Sequence, residues 1–217
     1  MENYKKNLEL LTKNHVYSKE MEHDACGVGL IASTAIVEYG IEALKAVWHR
    51  GAVDADGKTG DGAGIHVEIP KDFFIEKIQV TGHDYDNSEI CVGMIFLPRN
   101  DYSAQENCKT IVESELTKNN FSIYGWRQVP VNPKILGEKA LQTMPEIIQV
   151  LFKSNDPNLL DKNLERKIYE TRKRIENKVF DASLNNFYIC SISSKSIIYK
   201  GLYLAEAISD FYLDLKD

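Results

Sequence analysis

The chain has 217 residues, 43% apolar and 27% charged, a balance that suits a globular protein able to bury a core. A net charge of −6 gives no basic excess to draw nucleic acid or an anionic membrane surface, so neither is expected as a partner. No run reaches the roughly 18 apolar residues of a membrane span, and the first residues carry no secretory apolar stretch, which together predict a cytoplasmic protein.

Residues 1–25 are polar and weakly periodic, and they read as a leader or propeptide; a flexible arm is the plainer alternative. Residues 26–33 form a short apolar run with β character. Over 39–50 the period changes to that of a helix, with Ile41, Leu44 and Trp48 on one face. Arg50 sits at its C-terminal end, where a cation suits the helix dipole, and Gly51 can close it. Residues 54–64 hold four glycines with Asp54, Asp56 and Asp61, which is loop chemistry.

A strand is predicted over 65–69, ended by Pro70, with Phe73 and Phe74 as core anchors. The continuous apolar run 90–97 predicts a strand buried on both faces. Asp101 or Ser103 can cap a helix whose inner face is Cys108, Ile111, Val112 and Leu116. A strand over 121–131 bends at Gly125. Residues 137–153 read as mostly helical, with Pro145 opening a fresh helix. Residues 163–179 form an amphipathic helix with Leu164, Ile168, Ile175 and Val179 inward. Two strands, 187–192 and 196–200, read as a hairpin, and 201–215 as a helix or irregular segment rich in Tyr and Phe. This order favours antiparallel layers with helices outside, an α+β fold, over a parallel nucleotide-binding sheet. Neither GxGxxG nor GxxxxGK[ST] occurs.

Cys26, Cys91, Cys108 and Cys190 are widely spaced and form no CxxC pair, so no metal site is expected. The last three fall on apolar faces and read as core. Cys26 follows Ala25, and Gly27 and Gly29 flank Val28 just after it. Read from the residues alone, it is more often a small buried hydrophobe than a nucleophile. As a nucleophile it needs a base. His49 or His66 could serve, or its own α-amine if the chain is cut after Ala25.

The blocks Ala-Cys-Gly-Val-Gly-Leu-Ile-Ala (25–32), Gly-Ile-Glu-Ala-Leu-Lys-Ala-Val-Trp-His-Arg-Gly-Ala (40–52) and Asp-Gly-Lys-Thr-Gly-Asp-Gly-Ala-Gly-Ile (56–65) are long and ordered. So are Tyr-Gly-Trp-Arg-Gln-Val-Pro (124–130) and Phe-Tyr-Ile-Cys-Ser-Ile-Ser-Ser-Lys-Ser-Ile-Ile-Tyr-Lys-Gly (187–201). Together they resemble the start of glutamate synthase large subunits, a class II glutamine amidotransferase domain. The resemblance implies an N-terminal-nucleophile αββα sandwich of antiparallel sheets with outer helices. It implies that a propeptide, 1–25, is removed after Ala25. Residues 26–217 would then be the N-terminal portion of the amidotransferase domain. Cys26 would attack L-glutamine and form a glutamyl thioester, and Arg50 and Gly51 would line the site.

The same resemblance implies FMN and an iron–sulfur cluster in the full-length enzyme, none of them in this segment. The remaining synthase domains and a small subunit are the implied partners. The family's arginine for the glutamine α-carboxylate, its Asn-Gly oxyanion pair and its substrate-amine aspartate have no counterpart here. Each oxyanion donor is worth roughly 10²–10³ in rate in other systems, so an incomplete domain is expected. Two alternatives stand beside this reading: a truncated, non-catalytic piece of the domain, or another class II amidotransferase.

Overall fold

The computed structural model describes residues 26–33 and 36–216, together with Lys6, Glu9, Leu10 and Lys13. In chain order its elements are α1 (Ile36–Ala46), β1 (Ala63–Glu68), α2 (Lys71–Val80), β2 (Cys91–Leu97), α3 (Tyr102–Lys118), β3 (Phe121–Gln128), α4 (Glu138–Thr143), β4 (Glu146–Ser154), α5 (Asp161–Asp181), β5 (Tyr188–Ser193), β6 (Ser196–Gly201) and α6 (Ile208–Phe211). Short 3-10 turns lie at Trp48–Arg50, Pro133–Ile135, Ala205–Ala207 and Leu213–Leu215.

β2 is apolar along almost its whole length, so it can lose water on both faces. It accordingly sits inside a four-stranded antiparallel sheet of order β3-β4-β2-β5. Alternation splits its side chains between two cores. Cys91, Ile95 and Leu97 face the amphipathic helices α3 and α5, where they meet Cys108, Val112, Leu164, Ile168 and Ile175. Val92 and Met94 face a second core with Ile65 and Val67 of β1, Ile197 and Tyr199 of β6, and Ile41 of α1. β1 and β6 form a separate two-stranded antiparallel sheet, in register from Ala63↔Gly201 to Glu68↔Ser196. Helices outside two antiparallel sheets make this the α+β sandwich the sequence predicts.

α3 starts where the sequence says it should. Asp101 caps it, accepting from the Ala104 amide at 2.9 Å. Gly125 bends β3: its φ is +153° and the register against β4 shifts between Ile123 and Gly125.

Five expectations need correction. Residues 26–33 are not a strand. They run as non-repetitive chain beside α1, and Val28 and Leu30 are 89% and 97% exposed. Apolar character gives β propensity, but a strand exists only with a ladder partner, and no described strand pairs with this segment. Trp48 is 63% exposed rather than core, because α1 stops at Ala46 and the following 3-10 turn rotates it off the Ile41 face.

Residues 146–154 are strand β4, not helix. Ile147 and Leu151 serve one core, and Ile148, Val150 and Phe152 the other, so a doubly buried strand mimics helical periodicity. α2 has no counterpart in the sequence reading; Pro70 opens it as N-cap rather than merely ending a strand. Finally, β5 and β6 belong to different sheets and do not pair as a hairpin. Their junction is a corner built on Glu165 of α5, which accepts from the Ser194 amide at 2.7 Å, the Ser194 hydroxyl at 2.8 Å and the Ser193 hydroxyl at 3.0 Å.

Candidate functional site

The chain leaving α1 makes the Trp48–Arg50 turn, which Gly51 closes by donating its amide to the Trp48 carbonyl at 3.0 Å. Space there is tight. A β-carbon on Gly51 would stand 3.3 Å from Asp61 Oδ1 and 3.4 Å from the Trp48 carbonyl. The structure therefore brings Gly51 beside Asp61. The Arg50 backbone belongs to the turn, while its side chain lies outside what is described. Ala25 and the leader's cleavage point also lie outside the described residues.

Between Gly51 and Gly62 the chain doubles back. Val53 pairs with Gly60, the Asp54 amide donates to the Thr59 carbonyl at 2.9 Å, and the Asp61 amide donates to the Ala52 carbonyl at 3.2 Å. Asp56 is the loop's hub: Oδ1 accepts from the amides of Thr59 (2.7 Å) and Lys58 (2.9 Å), and Oδ2 from the Thr59 hydroxyl (2.6 Å). The Thr59 hydroxyl, then the Thr59, Lys58 and Glu138 amides, hold its carboxyl down at about 2.

The far end of this loop, Asp61 to Gly64, opens into a cleft of about 1190 Å³. Phe96, Tyr203 and Phe211 are among its walls. Tyr203 is buried, and its hydroxyl has no hydrogen-bond partner among the described residues. The cleft exceeds the roughly 300–1,000 Å³ typical of small-ligand pockets.

Cys26 is exposed and does not line this cleft. The other three thiols are buried. Burial pushes the Cys108 and Cys190 thiols up to about 11, and it raises Cys91 further still. Burial thus favours the protonated thiol at these three, and Cys26 is the exposed cysteine of the four. His66 lies on the exposed face of β1, 2.7 Å from the Ser196 hydroxyl, and His49 is exposed in the 3-10 turn. Neither forms a hydrogen bond to Cys26 among the described residues. The four sulfurs do not converge, and no group of three or more His, Cys, Asp or Glu among the described residues could hold a metal ion. These residues do not fit an iron–sulfur cluster. No helix among them is long and apolar enough to cross a membrane.

Of the site residues expected from the sequence, Cys26 is exposed, Gly51 lies near Asp61, and the Arg50 side chain lies outside the described residues. The sequence places Asp56 in the loop but not as its hub, although the Asp-Gly-Lys-Thr spacing lets one carboxylate reach two following amides and a hydroxyl.

Comparison with known proteins agrees with these features. The model of the family described as glutamine amidotransferases class-II matches residues 26–217, beginning at Cys26. The chain is 52% identical over 220 residues to the glutamate synthase [NADPH] large chain of Azospirillum brasilense, covering 99% of this chain and 14% of that one. It is 40% identical to ferredoxin-dependent glutamate synthase 1 of Arabidopsis thaliana, over 90% of this chain and 12% of that one. Against ferredoxin-dependent glutamate synthase 2 of Synechocystis it is 36% identical, over 90% of this chain and 13% of that one. The chain thus spans about one seventh of the length of these relatives or less.

Proposed function

The chain belongs to the class-II glutamine amidotransferases, and from that premise we propose that it carries the nucleophile of a glutamine-hydrolysing domain of a glutamate synthase. The observation that carries this is the family match beginning at Cys26, the one exposed thiol in a chain whose other three are buried. In the proposed reaction the chain is cut between Ala25 and Cys26. The freed α-amine takes the thiol proton. The sulfur attacks the side-chain amide carbon of L-glutamine, and a C–S bond forms. The C–N bond then breaks, and ammonia leaves with the proton returned by the ammonium. Water hydrolyses the glutamyl thioester to glutamate and restores the thiol.

Arg50 and Gly51 are proposed to line the substrate site. The tight Gly51–Asp61 contact supports a shaped wall at that place. FMN, an iron–sulfur cluster, the other synthase domains and a small subunit are proposed to lie outside this chain, whose cysteines are too scattered for a cluster. Four free cysteines suit a reducing compartment, which supports a cytoplasmic setting.

We propose further that the 217 residues alone do not turn over glutamine. Cys26 is exposed and does not line the cleft. Positioning alone can be worth orders of magnitude in rate. The test is glutamate release from L-glutamine by the native polypeptide, its Cys26→Ser variant and the isolated 217-residue chain. Turnover by the first only supports the proposal. Turnover by Cys26→Ser refutes the nucleophile, and steady turnover by the isolated chain refutes the claim that these residues alone are inactive.

A further inference from the structure

The loop from Gly51 to Gly62 is fastened on two sides by groups the proposed reaction does not use. On one side stands the start of α4. A β-carbon on Gly137 would lie 2.2 Å from both Asp56 Oδ2 and Thr59 Oγ1, so the Gly137 backbone seats directly against the Asp56 hub. Nearby, Lys139 Nζ meets Asp54 Oδ2 at 2.6 Å, but that lysine side chain is 71% exposed and the pair is a weak tether. On the other side, a β-carbon on Gly60 would stand 2.5 Å from the Tyr203 carbonyl oxygen. Between these two contacts the loop holds Gly51 against Asp61, and Asp61 to Gly64 form one end of the cleft.

We propose that Asp56 is a positioning residue for Gly51 of the proposed substrate site: its carboxylate folds the loop against the start of α4 and so sets Gly51 beside Asp61. The inference rests on the glutamine-hydrolysing reading above. Asp56 touches no reacting atom in it. Its carboxylate is occupied by the Lys58 and Thr59 amides and the Thr59 hydroxyl, and Gly137 closes over it. It acts through Gly51 and Asp61, whose separation the folded loop sets. A loop freed from α4 would keep its internal Val53–Gly60 bridge and the close approach of Gly60 to the Tyr203 main chain, so the loss should displace Gly51 and Asp61 rather than unfold the domain.

The test uses the native polypeptide with its natural termini, as wild type, Asp56→Ala, Asp56→Asn and Thr59→Val. The readouts are kcat and KM for L-glutamine, and hydrogen exchange of the Asp54, Gly57 and Asp61 amides. Asp56→Ala is expected to lose about tenfold or more in kcat/KM, chiefly through KM, and to speed exchange of those three amides while β2 and β4 keep their protection. Asp56→Asn keeps an oxygen for the two backbone amides and should recover to within about threefold of wild type. Thr59→Val removes only the hydroxyl and should lose about threefold; it carries the test if Asp56→Ala does not fold.

An active wild type whose Asp56→Ala and Thr59→Val variants both stay within about twofold in kcat/KM overturns the inference alone. So does equal loss in Asp56→Ala and Asp56→Asn. A wild type without Cys26-dependent turnover overturns the functional reading and takes the positioning role with it.

Discussion

The Arg127 guanidinium grips the Asp214 carboxylate through two parallel bonds, Nη2 to Oδ1 at 2.6 Å and Nη1 to Oδ2 at 2.8 Å, with side-chain exposures of only 14% and 3%. The pair ties β3 to the 3-10 turn Leu213–Leu215, and Arg127 Nη1 also donates to Gln149 of β4 at 2.8 Å. A bidentate pair at this depth is unlike the exposed Arg166–Glu170 pair on α5. Removing one partner leaves a charge in the protein without its counterion. Asp214→Ala should therefore lower unfolding free energy by about 3 kcal/mol, whereas Glu170→Ala should cost under about 0.5 kcal/mol. Urea denaturation of the two variants measures both.

Much of the frame is legible in the sequence because local rules and burial agree. In α5 the inward residues Leu164, Ile168, Ile175 and Val179 keep one period for about four turns, and Asp101 caps α3 as its side chain dictates. The failures share a cause. β4 is buried on both faces, so its apolar run carries no period-2 signal. Residues 26–33 have strand composition without a partner strand, and β5 and β6 lie close in sequence yet join different sheets. At the candidate site, Cys26 and Gly51 are proposed from ordered blocks resembling a family. The Asp56–Gly137 seat is not legible in the sequence, because it joins residues 81 positions apart through a backbone contact that leaves no mark in composition.

Phe152 is fully buried and meets Phe121 edge-on at 5.3 Å between ring centres, in the core shared with α3 and α5. Truncation removes that ring and leaves a void. Phe152→Ala is expected to cost about 4 kcal/mol in urea unfolding. Phe180 is 83% exposed, so Phe180→Ala should stay within about 0.5 kcal/mol.

Two loop glycines separate crowding from backbone strain. Gly57 has a φ of +69° and open space around its absent β-carbon, so Gly57→Ala bears only the left-handed penalty of about 1 kcal/mol. Gly60 faces the Tyr203 main chain, which cannot swing aside as a flexible side chain would. Gly60→Ala should cost more, about 2 kcal/mol. Thermal unfolding of the pair gives the order, and an equal effect would contradict the contact.

Thiol counting tests the burial pattern. Folded protein at pH 8 should react rapidly with an aromatic disulfide at Cys26 alone, because burial raises the thiols of Cys91, Cys108 and Cys190. In denaturant all four cysteines should react. Fast labelling at Cys190 in the folded protein would show that the second core is open.

The Asp56 loop should respond to acid in a defined window. Its carboxyl is lowered to about 2, so folding of the loop favours the ionised form. That contribution is fully present above the ordinary carboxylate range, near pH 4, and is lost as pH falls through about 2. The Thr59 amide resonance should titrate with that low midpoint. A midpoint near 4 would mean that the Asp56 bonds are not kept in solution.

The most direct measurement of the central claim is mass spectrometry on the polypeptide purified from its native host and treated with a diazoketone analogue of L-glutamine. The account predicts one adduct, on the sulfur of Cys26, in a peptide whose first residue is Cys26. An adduct on another residue, or an unmodified Cys26 still joined to Ala25, would contradict it.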